Sequence, residues 1–290
     1  MQSALKCYTQ LMKFRLSATV VFSALIGYLL GTTSPDFSEI LLLILGGILV
    51  TGSANALNQI LERNYDKLMK RTAIRPLPAG NLTLNQALIF SFIIGIIGLY
   101  FLMLINLQCS FFGLLSILLY VLVYTPLKRV SAISVFIGAF PGAIPVLLGW
   151  VAATNDFGLA AGILFAIQFC WQFPHFIAIS WVLDEEYKKA GFKMMIGKEK
   201  GKLATTIAVL AAFVMTIVSA APYFLHHIEG LSLSAVACIL IVILGLFFTY
   251  RSVQLFHQQS DSAAKKVLLS SYMYLPLMQL IYVLDKYFLQ

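Results

Sequence analysis

Long apolar stretches alternate with short polar connections along the whole chain. They lie at about Leu16–Ser34, Ile40–Leu57, Ala87–Leu107, Ser110–Leu127, Ala132–Ala153, Leu159–Leu183, Leu203–His226, Leu231–Tyr250 and Val267–Leu284. Each is near the roughly 20 residues that carry a helix across a bilayer at about 1.5 Å of rise per residue. The pattern predicts an all-α fold, a polytopic membrane protein of nine transmembrane helices. Residues 1–290 are read as one transmembrane domain. The first stretch is long enough to span, and no n-region, h-region and small-residue cleavage site opens the chain, so no removable signal peptide is expected.

Composition agrees with this reading. Hydrophobic residues make up 60% of the chain, charged residues 11%, and the mean hydropathy is +0.89. A soluble domain is about half apolar and a quarter charged, so this chain lacks the charge to clothe a water-facing surface. Cys7, Cys109, Cys170 and Cys238 are widely spaced with no C-x-x-C pair, which predicts neither a disulfide framework nor a thiolate metal site.

The charges add direction. Of the 20 Lys and Arg, all but Lys286 precede the first span or fall on alternate connections that share its side. They are Lys6, Lys13 and Arg15, then Arg63, Lys67, Lys70, Arg71 and Arg75, then Lys128 and Arg129. Lys188, Lys189, Lys193, Lys198, Lys200 and Lys202 follow, and last Arg251, Lys265 and Lys266. The opposite connections (Thr32–Glu39, Asn106–Cys109, Thr154–Gly158, His227–Gly230) carry none. Positive-inside bias then places the N-terminus in the cytoplasm and the C-terminus on the outer side of the cell (inner) membrane. A net charge of +8 spread over such loops is explained by topology and anionic lipid, and no nucleic-acid partner is expected.

Two connections on the basic side stand out chemically. If the second span continues as a helix past the membrane surface, Asn58, Glu62 and Asp66, spaced i, i+4, i+8, line one face. Two carboxylates and an amide are hard oxygen ligands of the kind Mg²⁺ takes alongside substrate phosphates. Lys67, Lys70, Arg71 and Arg75 follow at once, and arginine can hold phosphate oxygens bidentately. On spacing alone, a solvated helix end laced with ion pairs accounts for the same residues equally well. Arg75-Pro76-Leu77-Pro78 closes the segment as a helix stop.

The second connection holds Asp184-Glu185-Glu186 followed by Lys188-Lys189. Three successive acids cannot share one helical face, since neighbours differ by about 100°, so at most one or two of them point inward. It follows the sixth span as the first segment follows the second, which suggests an internal duplication or two sites converging on one cavity. Between the two lies Tyr124-Thr125-Pro126-Leu127-Lys128-Arg129, an aromatic and basic helix end. Trp171-Gln172-Phe173-Pro174-His175 falls within the sixth span, and an ionisable side chain there is a functional candidate by default. The alternative for His175 is a hydrogen bond inside the bundle.

At these residues the chain resembles the UbiA family of intramembrane prenyltransferases, above all its branch that farnesylates protohaem IX. Asn58, Glu62 and Asp66 match the family's first acidic signature, N-x-x-x-D/E-x-x-x-D, position by position. The stretches Asp66 to Thr72, Arg75 to Leu77, Tyr124 to Arg129, Gly138 to Trp150, Trp171 to Phe176 and Glu186 to Gly191 are similar to that branch. The chain departs from the pattern at Val146, at Lys193 and in its compact second acidic motif.

The resemblance implies a UbiA-type helical bundle that transfers farnesyl from farnesyl diphosphate to a vinyl group of haem B. The product carries the hydroxyethylfarnesyl group of haem O, and a haem A synthase is an implied downstream partner. It further implies Mg²⁺ on Glu62 and Asp66 with help from Asp184, Glu185 and Glu186. Diphosphate would be bound by Lys67, Arg71, Arg75, Lys128 and Arg129, and haem would be touched by Trp171 and His175. Two rivals are a prenyltransferase acting on another aromatic acceptor, such as a quinone precursor, and a transporter. A transporter would more naturally carry its ionisable groups near the midplane. A purely structural subunit leaves the Asn58–Glu62–Asp66 row unexplained.

Overall fold

The structure is a computed structural model that describes residues 3–197, 199–225 and 230–289. The expected end of the seventh span at His226, the connection residues His227–Glu229 and Lys198 lie outside the described residues. Among the described residues there is no strand, and nine helices are long and apolar enough to cross a membrane. A short helix α1 (Ala4–Leu11) leads into them. The nine are α2 (Phe14–Gly31), α3 (Phe37–Asp66), α4 (Leu84–Ile105), α5 (Leu107–Leu127) and α6 (Ser134–Thr154), then α7 (Leu159–Val182), α9 (Lys202–Phe224), α10 (Ala235–Gln258) and α11 (Asp261–Phe288). Between α7 and α9 lies the short α8 (Asp184–Lys189).

Local chemistry sets the helix starts. Asp36 caps α3 by accepting from the Ser38 and Glu39 amides, and Thr83 with Gln86 forms a capping box on α4. Ser234 and Ser260 cap α10 and α11. The turn between α4 and α5 is tighter than the Asn106–Cys109 connection expected from the apolar pattern. Asn106 alone joins the helices, accepting from the Cys109 amide at 2.8 Å and donating to the Val151 carbonyl at 3.0 Å.

The helices pack as membrane helices do, by close backbone approach at small residues. Where α2 crosses α6, a Cβ on Gly27 would lie 2.0 Å from the Val146 carbonyl oxygen, and one on Gly149 would lie 1.8 Å from that of Ala24. Any side chain there would force the pair apart, so α6 sits deepest in the bundle, with Val135, Ala139, Ala143 and Val151 fully buried. Outward faces are the reverse of a soluble protein's. Ile89, Phe92, Ile93, Ile96 and Tyr100 of α4 are exposed, a lipid-facing belt. This is a multi-pass membrane protein.

One end of the bundle gathers the α1–α2 joint and the connections after α3, α5 and α7. Lys13 reaches Asn58, the Lys193 amide donates to the Lys128 carbonyl at 2.6 Å, and the Lys70 amide donates to Glu186 Oε2 at 2.8 Å. At the opposite end Lys286 donates to the Leu29 and Leu30 carbonyls. The alternation of basic connections is thus matched by their convergence in space.

Candidate active site

Helix α3 runs 30 residues, well past the bilayer span, and its last three turns carry Asn58, Glu62 and Asp66 on one buried face. It stops where Thr72 Oγ1 donates to the Asp66 carbonyl and the chain turns toward Pro76. That reversal brings Arg75 back along the helix, where its Nη1 meets Asp66 Oδ2 at 2.7 Å.

The second wall comes from the end of α5. Pro126 has no N–H to offer the carbonyl four residues back, and the helix widens into a π turn over Leu119–Tyr124 immediately before it. Thr125 Oγ1 then donates to the Tyr120 carbonyl at 2.8 Å and accepts from Asn58 Nδ2 at 3.0 Å. One turn further, Lys128 Nζ lies 2.5 Å from Glu62 Oε1. The Lys128 ammonium also sits over the rings of Tyr124 and Phe192, at 4.8 and 5.5 Å. Burial is the largest single influence and works against its charge, but the Glu62 carboxylate together with the Tyr120 and Tyr187 side chains holds Lys128 above the ordinary lysine value.

The two carboxylates are poorly satisfied by hydrogen bonds. Asp66 Oδ1 is buried with no partner, and Glu62 Oε1 has the close Lys128 ion pair but no well-directed hydrogen bond. Buried acceptors are normally paired. Carboxylates one turn apart with an unpartnered oxygen suit Mg²⁺, which takes one or two carboxylates and fills its shell with water and phosphate oxygens. Among the described residues no three His, Cys, Asp or Glu side chains gather as a metal cluster.

The remaining expected residues divide. Arg129 is exposed with its guanidinium 4.3 Å from the centre of the Tyr65 ring, at the rim of the site. Lys67 and Arg71 are exposed on the same rim. In α8 the three acids diverge. Asp184 is buried and pairs with Lys188 at 2.8 Å, Glu186 accepts from the Lys70 amide, and Glu185 is exposed. Trp171 and His175 lie together on α7, rings stacked 4.7 Å apart, but against α11. His175 Nδ1 is 2.8 Å from Ser271 Oγ, and Trp171 Nε1 donates to the Ser271 carbonyl at 2.9 Å.

Two features had no signal in the apolar pattern or the motifs. Lys13, counted only among the topology-marking charges, donates to Asn58 Oδ1 at 3.3 Å from a left-handed backbone position. Burial and the charges of Arg75 and Lys128 push its ammonium down to about 7. The aromatic lining of Tyr120, Tyr187 and Phe192 around Lys128 was equally invisible, since aromatics are common throughout so apolar a chain.

A buried carboxylate face closed by lysine and arginine, at the end of a nine-helix apolar bundle, is the arrangement the acidic signature leads one to expect. Comparison with known proteins decides the matter, for the UbiA prenyltransferase family model matches residues 20–274. The chain belongs to this family. A Flavobacterium psychrophilum protein named protoheme IX farnesyltransferase is 46% identical over 97% of this chain and 94% of its own length. One from Christiangramia forsetii under the same name is 46% identical over 98% and 95%. Among solved structures, a digeranylgeranylglyceryl phosphate synthase superposes with a TM-score of 0.82 at 24% identity, covering 98% of both chains. A UbiA homologue from Archaeoglobus fulgidus bound to GPP and Mg²⁺ superposes at 0.68 with 16% identity, covering 95% and 99%. At such identities the structures speak for the fold alone. Family membership makes the protein a prenyltransferase, and the rival reading as a transporter falls.

Proposed function

We propose that the protein transfers farnesyl from farnesyl diphosphate to the C2 vinyl group of protohaem IX, forming the hydroxyethylfarnesyl group of haem O on the route to haem A for terminal oxidases. The observation that carries this reading is the buried face on which Glu62 meets Lys128 and Asp66 meets Arg75. The acceptor is supported by the near-full-length similarity to proteins named protoheme IX farnesyltransferase.

Before substrate arrives, Arg75 and Lys128 neutralise the two carboxylates. With farnesyl diphosphate in place the same cations pair with its oxygens, joined from the rim by Lys67, Arg71 and Arg129. Glu62 and Asp66 would hold Mg²⁺, which would supply further positive charge for the diphosphate, a use supported by the GPP and Mg²⁺ bound to the Archaeoglobus homologue. Of the second acidic run, Asp184 and Glu186 are the candidates for assisting there, because Glu185 faces out. Asn58, tied to both Thr125 and Lys13, orients the row.

The C1–O bond of the substrate breaks with its electron pair leaving on diphosphate, where the surrounding cations stabilise the developing charge. The vinyl carbon of haem B attacks C1 of the allylic cation. Water then adds to the resulting cation beside the ring and loses a proton, leaving the hydroxyl. The apolar bundle keeps water from the allylic cation until the new bond forms. Trp171 and His175 contact the porphyrin by stacking or through its iron or propionates.

Residues 1–290 act as one prenyltransferase domain of the cell (inner) membrane, N-terminus in the cytoplasm and C-terminus outside, with haem A synthase the consumer of its product. Purified protein with haem B, farnesyl diphosphate and Mg²⁺ tests the reading. Asp66→Asn loses haem O formation while remaining folded, and undiminished turnover removes Asp66 from the site. His175→Ala weakens haem binding more than farnesyl diphosphate binding, and equal effects on both sink its assignment.

A further inference from the structure

The side chain of His175 makes one hydrogen bond among the described residues, and that bond fixes which ring nitrogen carries the proton. Its Nδ1 stands 2.8 Å from Ser271 Oγ. A serine hydroxyl has a single proton to give, and Ser271 gives it to the Leu268 carbonyl of its own helix at 2.6 Å. Toward His175 the same oxygen can only accept. An imidazole with one proton therefore holds it on Nδ1 and presents Nε2 as a bare lone pair.

That lone pair has no use in the packing. Among the described residues nothing donates to Nε2, although a polar atom at membrane depth is normally paired. If His175 served only to tie α7 to α11, one nitrogen would suffice. Trp171 already joins the same helices by donating from Nε1 to the Ser271 carbonyl. Nor is the free nitrogen shut in as Asp66 Oδ1 is. The residue is 8% exposed, beside half-buried Trp171 and Phe176 and exposed Tyr272.

The ring is also held still. Trp171 stacks on it with centroids 4.7 Å apart and planes 18° from parallel, and Tyr272 meets it edge-on at 5.2 Å. A histidine that donates from one nitrogen into a fixed relay and leaves the other bare is how proteins present imidazole to a metal. The acceptor ring carries a metal, and imidazole is a common axial ligand of haem iron.

We propose that His175 Nε2 is an axial ligand to the iron of the bound haem B, with Ser271 the positioning residue that sets its tautomer. Ligation moves no proton, because Nε2 is already bare. A bond along the ring normal holds the macrocycle by its centre and leaves its edge, where the vinyl group lies, free to react. The assignment rests on the haem acceptor proposed above and selects the iron over stacking or propionate contact.

Haem B and metal-free protoporphyrin IX test it, because the two share the ring and both propionates and differ only in the iron. Each is titrated into the full-length protein in detergent, followed by the porphyrin absorption band, with the thermal unfolding midpoint measured alongside. Wild type binds haem B the tighter of the two. His175→Ala weakens haem B binding by about a hundredfold and Ser271→Ala by about tenfold, the two ends of the range for disturbing a histidine ligand and its hydrogen-bond partner. Protoporphyrin binding is unchanged in both. Variants that fold as wild type and lose both porphyrins equally, or lose neither, overturn the ligation and leave His175 a stacking or packing residue. If His175→Ala fails to fold, the Ser271→Ala comparison decides on the same terms. Wild-type protein that binds both porphyrins alike overturns the ligation but keeps the acceptor, whereas binding of neither overturns both.

Discussion

The two acidic connections look alike in composition, yet the fold uses them differently. After α3, Asn58, Glu62 and Asp66 sit one turn apart, face one way, and are buried against Thr125, Lys128 and Arg75. After α7, Asp184, Glu185 and Glu186 are consecutive and point apart, toward Lys188, solvent and the Lys70 amide. Four-residue spacing on a helix concentrates charge on one face, while adjacency disperses it around the axis. The first connection therefore presents the proposed site as one face, and the second meets it through single side chains. Glu186 joins the α8 turn to the basic loop across 116 residues of sequence.

Substitutions separate these roles, beginning where the effect is greatest. Glu62→Gln lowers haem O formation by on the order of 10²-fold, the scale for removing one preorganised group that stabilises developing charge, and a steady-state assay at saturating Mg²⁺ reads it. Turnover within a few-fold of wild type would mean that this face is structural after all. Lys128→Ala comes next and acts on stability. It leaves the Glu62 carboxylate buried without its counter-charge and costs about 3 kcal/mol, seen as a lower unfolding midpoint in detergent. Pairing it with Glu62→Gln restores most of the stability but none of the activity.

The second connection responds more weakly. Glu186→Ala frees the Lys70 amide and loosens the rim, raising the KM for farnesyl diphosphate about fivefold, equivalent to about 1 kcal/mol for the lost hydrogen bond. An unchanged kcat leaves Glu186 a brace of the rim, and a kcat that falls with KM rising places it among the groups that assist Mg²⁺. Glu185→Gln is the smallest, with every parameter within about twofold of wild type, as for an exposed side chain remote from buried features. If Glu185→Gln instead matched Glu62→Gln, the contrast between the two connections would collapse.

Much of this was legible beforehand for a definite reason. A bilayer demands a fixed length of apolar helix, so nine spans are written in runs of local composition. The α-helical repeat is local too, which is why Asn58, Glu62 and Asp66 could be placed on one face before any fold was known. The same rule limited the second run to one or two inward acids, and Asp184 is the buried one. The motif bearing Trp171 and His175 was legible as a functional candidate, but not its setting against Ser271 of α11, 96 residues from His175.

What the sequence determined by itself is the membrane-spanning plan, the side that carries the charges and the row of oxygens on α3, all consequences of periodicity and composition within a few turns of helix. The tertiary structure alone decided which cation meets which acid. Arg75 returns to Asp66 because the chain reverses at Thr72–Pro76, and Lys128 reaches Glu62 because the π turn re-aims the end of α5. Lys13 arrives at Asn58 across 45 residues through one left-handed residue. Those partnerships depend on where helices cross and how their ends turn, and no local pattern of hydrophobic and polar residues encodes either.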